Sequence, residues 1–139
     1  MAISQSMVSS FKSEAMLAIH DLDTDTIKMA LYTSIASLGP ATTAYTTSEE
    51  VVGTNYVAGG NTLTSPVVSL DGTTGICDFA DTTWASSTIT ARGALVYNAS
   101  KANRAIAVLD FGSDKISTDG DFTIVMPAPT ASTALIRIA

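Results

Sequence analysis

Asp21, Asp23 and Asp25 in HDLDTDT are three carboxylates at alternate positions, and hard oxygen ligands so spaced could converge on a calcium ion. The loop grammar argues otherwise. An EF-hand loop beginning at Asp21 requires glycine where Thr26 stands and a bidentate glutamate where Tyr32 stands. The expectation is an acidic connection between a helix and a strand, with no metal. His20 is the only histidine, so any serine–histidine–aspartate machinery must use it, and no nucleophile elbow accompanies it. It is expected near a helix end, where the partial negative charge of the terminal carbonyls suits an imidazole.

Other chemistry-bearing patterns lead in the same direction. Gly53, Gly59 and Gly60 do not sit between a strand and a helix, as a phosphate-cradling loop must. Asn98-Ala99-Ser100 matches a glycosylation acceptor but reads as a turn. Trp84, Tyr97, Phe79 and Phe111 could form a sugar-stacking platform, although aromatics interspersed among apolar strand residues more commonly belong to a core. Cys77 is the only cysteine, which excludes an intrachain disulfide and a cysteine zinc cluster; a small buried hydrophobe is expected. No catalytic residue, cofactor site or metal site follows from these readings.

The elements that would position such residues are read from periodicity. Arg92 to Tyr97 and Ala105 to Phe111 are nearly continuous apolar runs of strand length, separated by the polar segment Asn98 to Arg104. They predict a buried hairpin with Leu95, Val96, Ile106, Val108 and Leu109 in the core, and a hairpin apolar on both faces needs cover on both. Thr26 to Ser34 alternates like a half-buried strand. Ser37 to Asn61 is a long excursion with a short strand around Tyr56. Asn61 to Leu70, Ile76 to Ala80, Phe122 to Met126 and Thr133 to Ile138 are further strands, with turns at Asp71-Gly72 and Asp119-Gly120. Helical spacing runs from Met7 to Leu22. The predicted organisation is one domain over 1–139, with a flexible arm at 1–10, a helix at 11–22 and a mainly β, antiparallel β-sandwich or jelly-roll-like body at 26–139.

Composition narrows the partners. Charged residues are 14% of the chain and apolar ones 46%, with lysine only at 12, 28, 101 and 115. Such a surface resists association poorly and suits a subunit of an assembly. A net charge of −6 disfavours nucleic acid, which requires a basic stripe. The N-terminus has neither the basic start nor the apolar stretch of a secretory signal, and the apolar runs are too short for a membrane-spanning helix.

The segments HDLDTDTIKMALYTS, TTSEEVVGTNYVAGGNTL and DFADTTWASSTITARGALVYNASKANRAIAVLDFG together resemble a family of small structural proteins encoded in the virion gene blocks of tailed bacteriophages, including phages of cyanobacteria and marine bacteria. The resemblance spans about Phe11 to Ala139 and is one of pattern, so it transfers no site residue. It implies a non-enzymatic virion component, made in the host cytoplasm. The first expectation is a capsid decoration (cement) protein on the capsid surface, bound to the major capsid protein. A tail or head-to-tail junction protein is the alternative, and a carbohydrate-binding adhesin comes third. Capsid geometry would favour a homotrimer. No cofactor, small-molecule substrate, nucleic acid or membrane is expected as a partner. Met7, Phe11, Tyr45 and Tyr56 are the candidate contacts with other subunits or the capsid.

Overall fold

The computed structural model describes residues 2–139. In chain order its elements are β1 (Ser6–Met7), α1 (Ser9–Met16), β2 (Ile27–Tyr32), β3 (Asn61–Thr62), β4 (Val67–Asp71), β5 (Thr74–Asp78), β6 (Thr82–Asn98), β7 (Arg104–Ile124) and β8 (Ile136–Ile138). The strands form two antiparallel sheets, in the orders β1-β7-β6-β2-β3 and β4-β5-β8, and this architecture fits a β-sandwich.

The apolar hairpin is the centre of the larger sheet. Leu95 lies between Ala30 of β2 and Val108 of β7, and Val96 between Met29 and Ala107. Leu95, Val96, Ile106 and Val108 are fully buried and Leu109 partly so. Farther along β6 the pattern changes. Thr82, Trp84, Ser87, Ile89 and Ala91 are buried while Thr83, Thr88 and Thr90 face outward, so the distal half has one covered face and the proximal half two. The register slips between Trp84 and Ser87, between Ser87 and Ile89, between Ala91 and Gly93, and between Val96 and Tyr97. Side chains satisfy part of what these slips leave open: the Ser117 hydroxyl accepts from the Ile89 N–H at 3.2 Å, and the Ser87 hydroxyl donates to the Gly120 carbonyl at 3.1 Å. At Gly93 a Cβ would lie 2.5 Å from the Leu109 carbonyl oxygen and 2.9 Å from Ile3, so only glycine lets the strand and the N-terminal segment approach this closely.

Several expectations are corrected. Residues 2–10 are not a flexible arm: Ile3 is nearly buried, Val8 is fully buried, and β1 pairs with β7 through Ser6 and Met7. The Ser4 N–H donates to the Leu38 carbonyl at 2.8 Å and the Val8 N–H to that of Ile106 at 3.0 Å. Covering the edge of β7 and the apolar face beside it fixes this segment; Met1 lies outside the described residues. The helix occupies Ser9–Met16 and not 11–22. Ala18 adopts φ 57°, with the Ile19 N–H donating to the Glu14 carbonyl and the Ala18 N–H to that of Ala15, a Schellman ending that turns the chain toward His20.

The expected strand from Asn61 to Leu70 is split between the two sheets. Ser65 has φ 54° and Pro66 has no N–H to donate, so the chain leaves one sheet after β3 and enters the other at β4. Asp119-Gly120 is not a turn but an irregularity within β7, with Asp119 at φ 48°. Around Tyr56 there is one isolated bridge, Thr54 with Thr88, in place of a strand.

Two outcomes follow from this packing. Val108→Asp should fail to fold, because an unpaired carboxylate in the dry centre of the sheet costs several kcal/mol, comparable to total stability; a soluble variant with a cooperative melt would contradict the assignment. Deleting residues 1–8 should lower the melting temperature markedly, since burial of Ile3 and Val8 contributes about 1.5–3 kcal/mol each, and an unchanged melt would show that the segment is dispensable.

Candidate functional site

Two buried carboxylates organise the polar side chains, one on each cover of the central hairpin. Glu50 belongs to the excursion between β2 and β3. Local pairing brings it in: the Val51 N–H donates to the Leu31 carbonyl and the Thr33 N–H to that of Glu49. Glu50 is only 7% exposed, and its carboxylate enters no ion pair among the described residues. Three donors replace the water it loses. Tyr45 and Tyr56 each donate a hydroxyl at 2.6 Å, to Oε1 and Oε2, and the Gly59 N–H donates at 2.8 Å.

The clamp extends into the sheet. The Tyr56 hydroxyl accepts from the Leu31 N–H at 2.8 Å, the Tyr97 hydroxyl donates to the Gly59 carbonyl at 2.7 Å, and Tyr45 stacks on Tyr97 with centroids 4.7 Å apart. Gly60, at φ 76°, would place a Cβ 1.8 Å from the Met29 carbonyl oxygen. The paired glycines thus serve close approach to β2, which explains them without a phosphate. Burial, then the Glu50 charge, pushes the phenols of Tyr32, Tyr45 and Tyr56 well above their ordinary range and that of Tyr97 up to about 12.

Glu14 of α1 anchors the other cover. It receives Arg104 at 2.8 Å and the His20 Nε2 at 2.9 Å. Asn98 fixes the imidazole tautomer. Its Oδ1 accepts from the Ser100 N–H, so its amide nitrogen donates to Asp25 at 2.7 Å and to the His20 Nδ1 at 3.1 Å. Nδ1 is therefore an acceptor and Nε2 carries the hydrogen given to Glu14. The ring is 1% exposed and lies 5.0 Å from Phe11. Both nitrogens of the one histidine are thus engaged in holding the helix end to the hairpin turn. It sits four residues beyond the helix, not at its terminus as expected.

The aspartates are used in the same turn. The Asp21 Oδ1 accepts from the Asp23 and Thr24 N–H groups, Asp25 accepts from the Asp21 N–H and from Lys101, and Asp23 faces solvent. Among the described residues no three histidine, cysteine, aspartate or glutamate side chains gather as a metal cluster. Cys77 is buried, and burial pushes its thiol up to about 12, which suits a packing role. Of the candidate sugar platform, Trp84, Tyr97 and Phe79 are buried and only Phe111 is partly exposed, so no stacking face is presented.

The four candidate contact residues fall into two groups. Tyr45 and Tyr56 point inward to Glu50, while Met7 and Phe11 line a groove of about 460 Å³ beside β8. Phe11 is its buried floor. Sequence reasoning missed Glu50, Glu14 and Asn98. Glu50 stands five residues after one tyrosine and six before the other, a spacing that matches no regular period and so carries no signal. The outward residues of the excursion are mostly threonine and serine with Glu49 and Asn55, and two large apolar side chains stand among them: Val52 is 98% exposed and Val57 76%. The chain matches no protein-family model, no curated protein and no solved structure.

Three measurements probe these clusters. Tyr56→Phe should cost about 2–4 kcal/mol, because it removes a donor from a buried carboxylate and leaves the Leu31 N–H without an acceptor; a neutral effect would deny Glu50 its clamping role. The tyrosines, neutral in the folded chain, supply stability that is complete below their ordinary value of 10.0 and is lost as pH rises toward the folded values, about 12 for Tyr97. Absorbance of ionised phenol should therefore appear together with unfolding.

For Glu14 and Asp25 burial opposes ionisation, but hydrogen bonds from His20 and Arg104, and from Asn98, the Asp21 N–H and Lys101, outweigh it and hold both carboxyls below their ordinary values of 4.5 and 3.8. Their contribution is present above those values and lost as pH falls through the lowered ones. Glu14→Gln should flatten the acid limb of a melting-temperature profile between neutral pH and 3.5, and an unchanged slope would exclude Glu14 as its source.

Proposed function

We propose that this protein is a non-enzymatic structural component of a tailed-phage virion, which binds and stabilises the capsid shell as a decoration protein. The observation that supports the reading is the inversion of the excursion between β2 and β3. Glu50, Tyr45 and Tyr56 turn inward onto the sheet, and Val52 and Val57, together with Ile35, turn out to solvent beside the exposed Glu49. A chain with so few charges presents these apolar side chains on a segment held by buried hydrogen bonds. Such a platform can meet a flat protein surface without the entropy cost of ordering a loop. The one histidine is engaged by Glu14 and Asn98, which favours the structural reading over a hydrolase using that imidazole. A position at the tail or the head-to-tail junction is the second reading, since the same platform would serve either location.

Quantitative densitometry of purified particles separates the two. Hundreds of copies per virion are expected for a capsid protein, tens or fewer would move it to the tail or junction, and absence from particles would overturn the virion assignment. Val52→Lys combined with Val57→Lys should weaken attachment to undecorated capsids while leaving the melting temperature unchanged, as expected for exposed positions. Undiminished binding would remove the excursion from the contact surface.

A further inference from the structure

The groove holding Met7 and Phe11 does not end there. A second groove, of about 450 Å³, adjoins it and shares Phe11, Ala15 and Ile138 with the first. Together they form one apolar trough between α1 and the β4–β8 side of the smaller sheet. Its exposed walls are unusual for a free surface, with Met16 84% exposed and Val68 and Ile138 each more than half exposed.

The two ends of this trough carry opposite charge. Lys12 and Arg137 border the first groove, and Asp21 and Asp23 border the second. All four residues are exposed, and none forms an ion pair among the described residues, where Arg92, Lys101 and Arg104 all do. Hydrogen bonds from Thr24 lower the pKa of Asp21, so this carboxylate keeps its charge.

A basic end, an apolar middle and an acidic end make a surface that complements itself when a second copy is turned end for end. A twofold axis through the middle sets Lys12 and Arg137 of one copy against Asp21 and Asp23 of the other, twice over, and packs the two Met16 and Ile138 surfaces together. We infer that the α1–β8 trough is an isologous dimer interface between two copies of this chain. The pairing is twofold, unlike the threefold arrangement that capsid geometry favours. It is independent of the virion reading, because it concerns the isolated protein.

Sedimentation equilibrium of the purified full chain tests it. The parent chain should sediment at twice its monomer mass, and Met16→Glu should dissociate it while keeping the parent's melting profile at the low concentration where both are monomeric. Lys12→Glu with Arg137→Glu in one preparation, and Asp23→Lys in another, should each weaken association about tenfold or more. Mixing the two preparations should restore a dimer, since reversed charges then face each other across one of the two contacts and that restoration requires the end-for-end arrangement. A parent that stays monomeric at assembly concentrations, a trimeric mass, a Met16→Glu dimer as tight as the parent's, or a mixture no tighter than its components would each overturn the proposal.

Discussion

The segment of the hairpin from Gly93 to Asn98, paired with Ala105 to Val108, is buried on both faces, and the chain laid over those faces serves as its cover. A central antiparallel pair of this kind has no solvent face on which to place polar side chains, so its stability depends on what is laid over it. One cover is the N-terminal segment with α1; the other is the excursion between β2 and β3. Tyr97 and Asn98 show the division at adjacent positions: the first stacks on Tyr45 of the excursion, and the second reaches His20 beyond the helix. Neither cover is a regular sheet, which leaves the smaller β4-β5-β8 sheet to close only part of the core.

Irregular covers have a difficulty that strands do not, because their backbone polar groups lack ladder partners. Each is solved here with one buried carboxylate. Glu50 collects two phenols and a backbone N–H, and through Tyr56 and Gly59 it ties the excursion to Leu31 and Tyr97. Glu14 collects Arg104 and His20 and so ties α1 to the start of β7 and, through Asn98, to the end of β6. The difference in partners matters. Glu14 and Asp25 titrate in acid and the phenols around Glu50 in base, so acid loosens the helix cover and base the excursion.

With Glu14 and Glu50 turned inward, the outer surface is left to threonine, serine, alanine, sparse charges and scattered large apolar side chains. Two regions of it stand out. The excursion presents Val52 and Val57, and the α1–β8 trough presents Met16 and Ile138 between charged ends. They belong to different covers of the same hairpin, which gives the chain two separate surfaces on which association can act.

Strand-length apolar runs made the central hairpin legible from the chain alone, because two short, nearly continuous apolar runs joined by a polar turn permit few other structures. The existence of strand β2, the turn before β5 and the mainly β class followed from the same local rules, although β2 is not half-buried as its alternation suggested: only Lys28 is less than fully covered, because both faces of the sheet are packed there. The lone histidine and the aspartate trio could be judged poor candidates for catalysis or calcium because those chemistries need companions at fixed spacings. What local rules could not supply was the fate of the segments without periodicity. Residues 2–10 look like a free arm until the open edge of β7 is present to receive them, and Asn61 to Leu70 looks like one strand until two sheets compete for its halves. Tyr45 and Tyr56 read as surface contacts because their spacings to Glu50, five and six residues, match no regular period. Only the folded chain brings the three side chains into contact, and only there does burial make a carboxylate with two phenols cheaper than any of the three alone. Identity and order of residues determined the core; long-range burial, which no local pattern encodes, decided which polar residues hold its covers in place.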